Sequence, residues 1–176
     1  MRCTSTTVAR CLYAGLVTDT VGFRTAGPAA HRMAAQLLDA GVDVEALLRP
    51  MTDSHPFAWF GALAGMLVDA ELDRAAAGGR GLVSVLVPSE VMERFRSEET
   101  DGVIDHVRTA AEAEVAAVLK QVGADRWSVS LRSRGAVDVA AAAVRLGGGG
   151  HPKAAGFTRD GPPERILDAL RAALAR

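Results

Sequence analysis

Four consecutive glycines, Gly147 to Gly150, run directly into His151, and a strand-like segment upstream ends in Arg132-Ser133-Arg134. Four glycines in a row lose much backbone entropy on folding, so a packed domain rarely carries them without a use. Lacking Cβ atoms, they reach positive φ and let a ligand approach bare backbone amides. His151 adds an imidazole that can donate to a phosphate oxygen, most strongly when protonated. Alternation along a strand places Arg132 and Arg134 on one face, and two guanidinium groups match the shape and charge of a phosphate. Taken singly, the glycine run also reads as a flexible loop and the arginine pair as a solvated strand end. Their nearness in the chain favours one anion-binding set.

The elements that must hold these residues alternate strand and helix. Leu82 to Val87 is a β-branched-rich strand, Ser89 to Arg96 a short helix capped by Ser89, and Asp101 to Ala111 a further helix. Glu114 to Val122 and Arg126 to Ser133 read as an antiparallel hairpin around Gly123-Ala124-Asp125. Val137 to Leu146 is an alanine-rich helix that leads into the glycines. Ala154 to Thr158 and a last helix from Pro162 to Ala175 follow. Upstream, Thr4 to Tyr13 reads as a helix with Val8, Cys11 and Leu12 on one face and Ser5 or Thr6 as cap. Ala14 to Thr20 is a helix end or a strand end. Pro28 to Ala40 reads as a helix with Met33, Leu37 and Leu38 as its stripe and Gly41 as its stop. Val44 to Leu48 is a short turn ended by Pro50. A long apolar helix is expected from Phe57 to about Ala76, with Trp59, Phe60, Leu63 and Leu67 packing between two units that divide near residues 50 to 57.

The 176 residues carry 49% apolar and 23% charged side chains and a net charge of -1. A packed core is therefore expected, and a global basic field for long nucleic acid is not. A nucleic-acid ligand would be held locally, which favours short strands or mononucleotides. Cys3 and Cys11 form no CxxC pair, so neither a zinc site nor a disulfide framework is indicated. No apolar run approaches the ~20 residues of a membrane span. The opening Met1-Arg2-Cys3-Thr4-Ser5-Thr6-Thr7 lacks the apolar core of a signal peptide. The expectation is a cytoplasmic protein without a membrane partner.

Ser130-Leu131-Arg132-Ser133, Val137-Asp138-Val139, Gly147 to His151 and Ala154-Ala155-Gly156-Phe157 together resemble the signature of the C-terminal domain of DHH-family phosphoesterases, in residues and in spacing. Cys11 to Phe23, with Leu-Tyr-Ala-Gly-Leu-Val-Thr-Asp-Thr at its centre, resembles the last metal-binding motif of that family's catalytic domain. Asp53 to Phe57 and Gly79 to Val83 also fit the family's bifunctional oligoribonuclease and 3'-phosphoadenosine 5'-phosphate phosphatase type, as found in actinobacteria. The resemblance runs from about Val8 to the C-terminus.

The resemblance implies an α/β fold. Residues 1–52 would be the remnant of a parallel-sheet DHH catalytic domain, and residues 53–176 a linker helix plus a mixed-sheet, DHH-associated substrate-binding domain. It implies a two-metal phosphoesterase, usually dependent on manganese, with Asp19 as a metal ligand. Arg132, Arg134, Gly148, Gly149, Gly150 and His151 would hold the substrate phosphate or terminal nucleotide, with Ser133 assisting. The ligands implied are short RNA or 3',5'-phosphorylated nucleotides. The departures are specific. No Asp-His-His triplet occurs, and Val21 stands where the family has glycine after Asp-Thr. A two-metal centre needs several carboxylate and imidazole ligands, so the chain alone is expected to hold manganese poorly and to be inactive by itself. Two other readings stay open: a non-catalytic nucleotide-binding module, and a relative of the alanyl-tRNA synthetase C-terminal domain, which also has a glycine run. His31, His55 and His106 read as structural or surface residues, and Glu98, Glu99 and Asp101 as a solvated charge run. Apolar surface on residues 1–52 leads to the expectation of a homodimer or a partner-bound state.

Overall fold

The computed structural model describes residues 6–175. The chain forms two compact units, one ending at His55 and the other beginning at Pro56. In the first, helices α1 (Thr6–Asp19), α2 (Pro28–Asp39) and α3 (Val44–Thr52) close a small core. Pro28 sits in the first turn of α2, where a missing N–H costs nothing. The buried stripe of α1 is Ala9, Tyr13 and Val17, spaced i, i+4, i+8. These three meet Ala34, Leu37 and Val42. The expected face of Val8, Cys11 and Leu12 lies outward instead: Val8 and Leu12 are half exposed, and Cys11 is an exposed free thiol. On α2, Leu37 is buried while Met33 and Leu38 are exposed. Tyr13 and Ala9 win the core because an aromatic ring edge-on to Phe23 buries more area than the branched residues opposite. Pro50 does not stop α3 but lies inside it, and the helix runs on to Thr52. Cys3, Thr4 and Ser5 lie outside the described residues.

The turn after α1 resolves the question raised by Val21. Val21, Gly22 and Phe23 have φ of 51°, 65° and 67°, three left-handed residues in succession. The Gly22 amide donates to the Val17 carbonyl at 2.8 Å, and the Thr20 hydroxyl accepts from the Phe23 amide at 3.0 Å. Val21 thus adopts the conformation that glycine reaches without strain.

The second unit is a mixed α/β layer structure. Among the described residues, six strands form one sheet in the order β1-β2-β3-β4-β6-β5. They are β1 (Glu71–Asp73), β2 (Leu82–Val87), β3 (Val115–Gly123), β4 (Arg126–Ser133), β5 (Gly149–His151) and β6 (Ala154–Asp160). Only β2 and β3 are parallel; the other pairs are antiparallel. The hairpin of β3 and β4 is formed as its turn residues require. The helix expected from Phe57 to Ala76 is shorter: α4 covers Phe57–Val68. The chain then turns, and Glu71, Leu72 and Asp73 pair with β2, where ladder hydrogen bonds outweigh local helix propensity. Ala76–Gly79 (α5) is a distorted turn with Ala77 at φ 53°.

Helices cover the two faces unequally. On one face, α5, α8 (Val139–Arg145) and α9 (Pro163–Leu174) pack over Leu82, Leu119, Trp127, Val129, Leu131 and Phe157. On the other, α4, α6 (Ser89–Arg94) and α7 (Ser97–Val107) pack over Val83, Val85, Val87, Ala116 and Val118, which belong to β2 and β3 alone. Trp59 and Met66 of α4 are buried in this layer with Leu63 and Leu67 beside them, so the stripe is sheet packing, and Phe60 is exposed. Pro88 rather than Ser89 precedes the first turn of α6. The charge run is also corrected: the Glu99 side chain is fully buried and paired with Arg96 at 2.5 Å, and Asp101 pairs with Lys120. Helical spacing turns Glu99 inward with Val103 while Glu98 stays outside.

Candidate functional site

Strand register assembles the site. Arg132 of β4 is directly opposite Ala154 of β6, and Ala154 is directly opposite His151 of β5. Opposed residues of an antiparallel pair project to the same face. Arg132, Ala154 and His151 therefore form one row across three strands, with Arg132 and His151 about 10 Å apart at their Cα atoms. The next row is Ser130, Gly156 and Gly149. These rows lie on the face where α4, α6 and α7 bury apolar residues of β2 and β3, and within the second unit β4, β6 and β5 carry no such buried apolar layer there. A cation and an imidazole thus flank a floor of alanine and glycine, a shape suited to an anion carried on a flat group.

Arg132 is half buried, and its Nη1 donates to the Leu131 carbonyl at 3.0 Å. Among the described residues its other donors have no protein acceptor, and His151 is exposed without a hydrogen bond or ion pair. Arg134 does not join them. Its Nη2 donates to the carbonyls of Ala110 and Ala113, at 2.7 and 3.1 Å, and so ties the α7–β3 connection. Of the two arginines, one faces the open floor and the other is a structural clamp. Ser133 points to the opposite face from Arg132, where its hydroxyl is buried and lacks a hydrogen-bond partner.

The glycines serve packing first. The Gly148 amide donates to the Ala143 carbonyl at 2.8 Å and the Gly147 amide to Val144 at 3.1 Å, which close the end of α8. A Cβ on Gly148 would stand 2.1 Å from the Gly156 carbonyl, and one on Gly150 would stand 2.5 Å from Ala155 Cα. The run is therefore not a loose loop: Gly149 to His151 is the edge strand β5. An edge strand keeps backbone groups unpaired on its outer side. Gly149, with open space at its missing Cβ, is the glycine that leaves room on the open face.

Glu114 is a supporting residue that local patterns do not reveal, because its partners are far along the chain. Its carboxylate accepts from the Val137 amide at 2.5 Å, 23 residues downstream, and from Arg80 Nη1 at 3.2 Å. The Val137 N–H, and then Arg80, hold this carboxyl below the usual carboxylate range. A Cβ on Gly135 would meet that carboxylate at 2.2 Å. The loop so fixed leads to Asp138, which accepts from the Ala140 and Ala141 amides and caps α8.

Asp19 ends α1 and is exposed. Among the described residues no three His, Cys, Asp or Glu side chains gather into a group that could hold a metal ion. Asp19 by itself does not make a two-metal centre. His31 stacks on Phe23 with ring centroids 5.4 Å apart, a packing role. Two clefts, of about 490 Å³ beside Ser89, Met92 and Gln121 and about 350 Å³ beside Leu48, Arg49 and Thr52, contain none of the site residues. The site is an open sheet face rather than a cleft. No helix among the described residues is long and apolar enough to cross a membrane.

Comparison with known proteins agrees with this architecture. The profile of the DHHA1 domain matches residues 78–176. The bifunctional oligoribonuclease and PAP phosphatase NrnA of Thermus thermophilus is 34% identical over 169 residues, which are 92% of this chain and 49% of the relative. The crystal structure of an exopolyphosphatase-related protein from Bacteroides fragilis superposes with a TM-score of 0.83 at 20% identity, covering 97% of this chain and 50% of the other. The chain thus spans about half the length of the proteins it matches, and the superposition establishes the mixed α/β fold.

Proposed function

This chain belongs to the DHHA1 domain family, and from that premise we propose that it is the substrate-recognition part of a metal-dependent phosphoesterase, of the oligoribonuclease and nucleotide phosphatase type, with manganese as the metal. Its ligands are short RNA and 3',5'-phosphorylated nucleotides. The observation that carries the reading is the row of Arg132, Ala154 and His151 on the open sheet face. Arg132 supplies planar donors for a terminal phosphate, and His151 supplies a second donor from the far side. The bare backbone at Gly149, with open space at its missing Cβ, lets the nucleoside lie close to the sheet.

Calorimetric titration with 3'-phosphoadenosine 5'-phosphate tests this. The wild type is expected to bind, and Arg132→Ala and His151→Ala to weaken binding by about tenfold or more, the worth of one charge-assisted hydrogen bond. Binding that neither substitution changes would remove these residues from the site. The exposed Leu12, Met33, Leu38 and Met51 of the first unit support assembly as a homodimer or with a partner. A monodisperse monomer by light scattering at high concentration would refute that assembly.

A further inference from the structure

The open face continues past the row of Arg132 and His151. Two residues further along each strand stand Ser130 and Gly156, and beyond them Ser128 opposite Thr158. Ser128 is also opposite Lys120 of β3, so Lys120, Ser128 and Thr158 form a third row on the same face. The exposed Arg126–Asp160 ion pair, at 3.2 Å, closes the far end. Among the described residues the hydroxyls of Ser128, Ser130 and Thr158 make no hydrogen bond. One side of this strip is bounded by α7, whose Val103 and Ile104 pack over β3 and whose Asp101 is ion-paired with Lys120. Successive rows on one face are about 7 Å apart, so Lys120 lies about 14 Å along the strands from Arg132. That is the length of a short extended strand of nucleotides.

Resting on the proposed nucleotide function, we propose that this strip is a track for the phosphodiester tail of a short single strand, with the terminal phosphate at Arg132 and His151 and a later phosphate at Lys120. Charge supports it: Arg132 stands at one end of a hydroxyl-lined floor and Lys120, largely buried and ion-paired with Asp101, at the other, with no acidic side chain on the three rows themselves. Ser130, Ser128 and Thr158 supply neutral donors that reach phosphate or ribose without reading base identity. Asp101 shares Lys120 in the unbound protein and so restrains the contact.

The test compares binding of adenosine 5'-monophosphate with 5'-phosphorylated di- and triadenylate by the full chain, across a salt series. The track predicts that the triadenylate binds tighter than the mononucleotide by about fivefold or more. Lys120→Met should erase most of that gain, leave mononucleotide affinity alone, and reduce the slope of log affinity against log salt by about 0.7 for the triadenylate only. Thr158→Val, on an exposed side chain, should reduce the gain without touching the core, and Asp101→Asn should enlarge it. If Lys120→Met unfolds the chain, Thr158→Val and Asp101→Asn decide the matter. A wild type with no gain from length, or a gain these substitutions leave unchanged, overturns the track while leaving mononucleotide recognition intact. A wild type that binds no adenylate overturns both readings.

Discussion

Arg132 and His151 stand two strands apart in a single row of the sheet, separated only by Ala154, although 18 residues of loop, helix and glycine run lie between them in the chain. The two side chains that touch the proposed ligand are thus positioned by strand pairing. Arg134, which shares Arg132's parity, is drawn away by the Ala110 and Ala113 carbonyls.

That difference separates the effects of the two arginines. Arg132→Ala should weaken nucleotide binding with little change in melting temperature. Arg134→Ala should leave two carbonyls without their donor and lower stability by about 1–3 kcal/mol, with a smaller effect on binding. Parallel thermal melts and titrations check it, and equal losses of affinity without loss of stability would contradict the assignment.

The glycines should divide in the same way. Gly148→Ala and Gly150→Ala force a Cβ to 2.1 and 2.5 Å from backbone atoms, so each should destabilise by about 2 kcal/mol or more. Gly149→Ala meets nothing within 4 Å. It should fold normally and lose affinity because its methyl enters the open face. Denaturant unfolding of the three variants distinguishes packing from ligand access.

Glu114 gives the stability a pH signature. Its carboxyl is held below the ordinary range in the folded protein, first by the Val137 amide and then by Arg80. A depressed folded value stabilises above the unfolded carboxylate range, and that contribution is lost as pH falls through the folded value. Stability should therefore drop on acidification below about pH 4, and Glu114→Gln should flatten this limb while lowering stability at neutral pH. Melts from pH 3 to pH 7 compare the two proteins.

Val21 should be replaceable with profit. A β-branched residue at φ 51° is strained by about 1–3 kcal/mol, whereas glycine takes that conformation freely. Val21→Gly should stabilise the first unit by up to about 1 kcal/mol once the lost contacts and chain entropy are subtracted. A drop in melting temperature would show that Val21 packing outweighs the strain.

Where physical signals are local, the sequence alone determined the outcome. The strand Leu82–Val87, the hairpin around Gly123 to Asp125, Pro28 at the start of α2 and the helix before the glycine run follow from β-branching, turn chemistry and helix-start preferences within a few residues. The residues proposed for the site were named from composition and spacing alone, a glycine run beside a histidine and an arginine, but not which of the two arginines faces that run. Tertiary contacts decided the rest. Val8, Cys11 and Leu12 fit a helical stripe as well as Ala9, Tyr13 and Val17 do, and only the facing helices select between them. Glu99 reads as solvated until the turn of α7 carries it inward to Arg96. The chain after Val68 could have stayed helical, but β2 offered an unpaired edge to Glu71, Leu72 and Asp73. Above all, a period of two tells which residues of one strand share a face but not which residues of distant strands share a row. Register between strands set that, and register depended on Gly148, Gly150 and Gly156 letting backbones approach where any Cβ would collide.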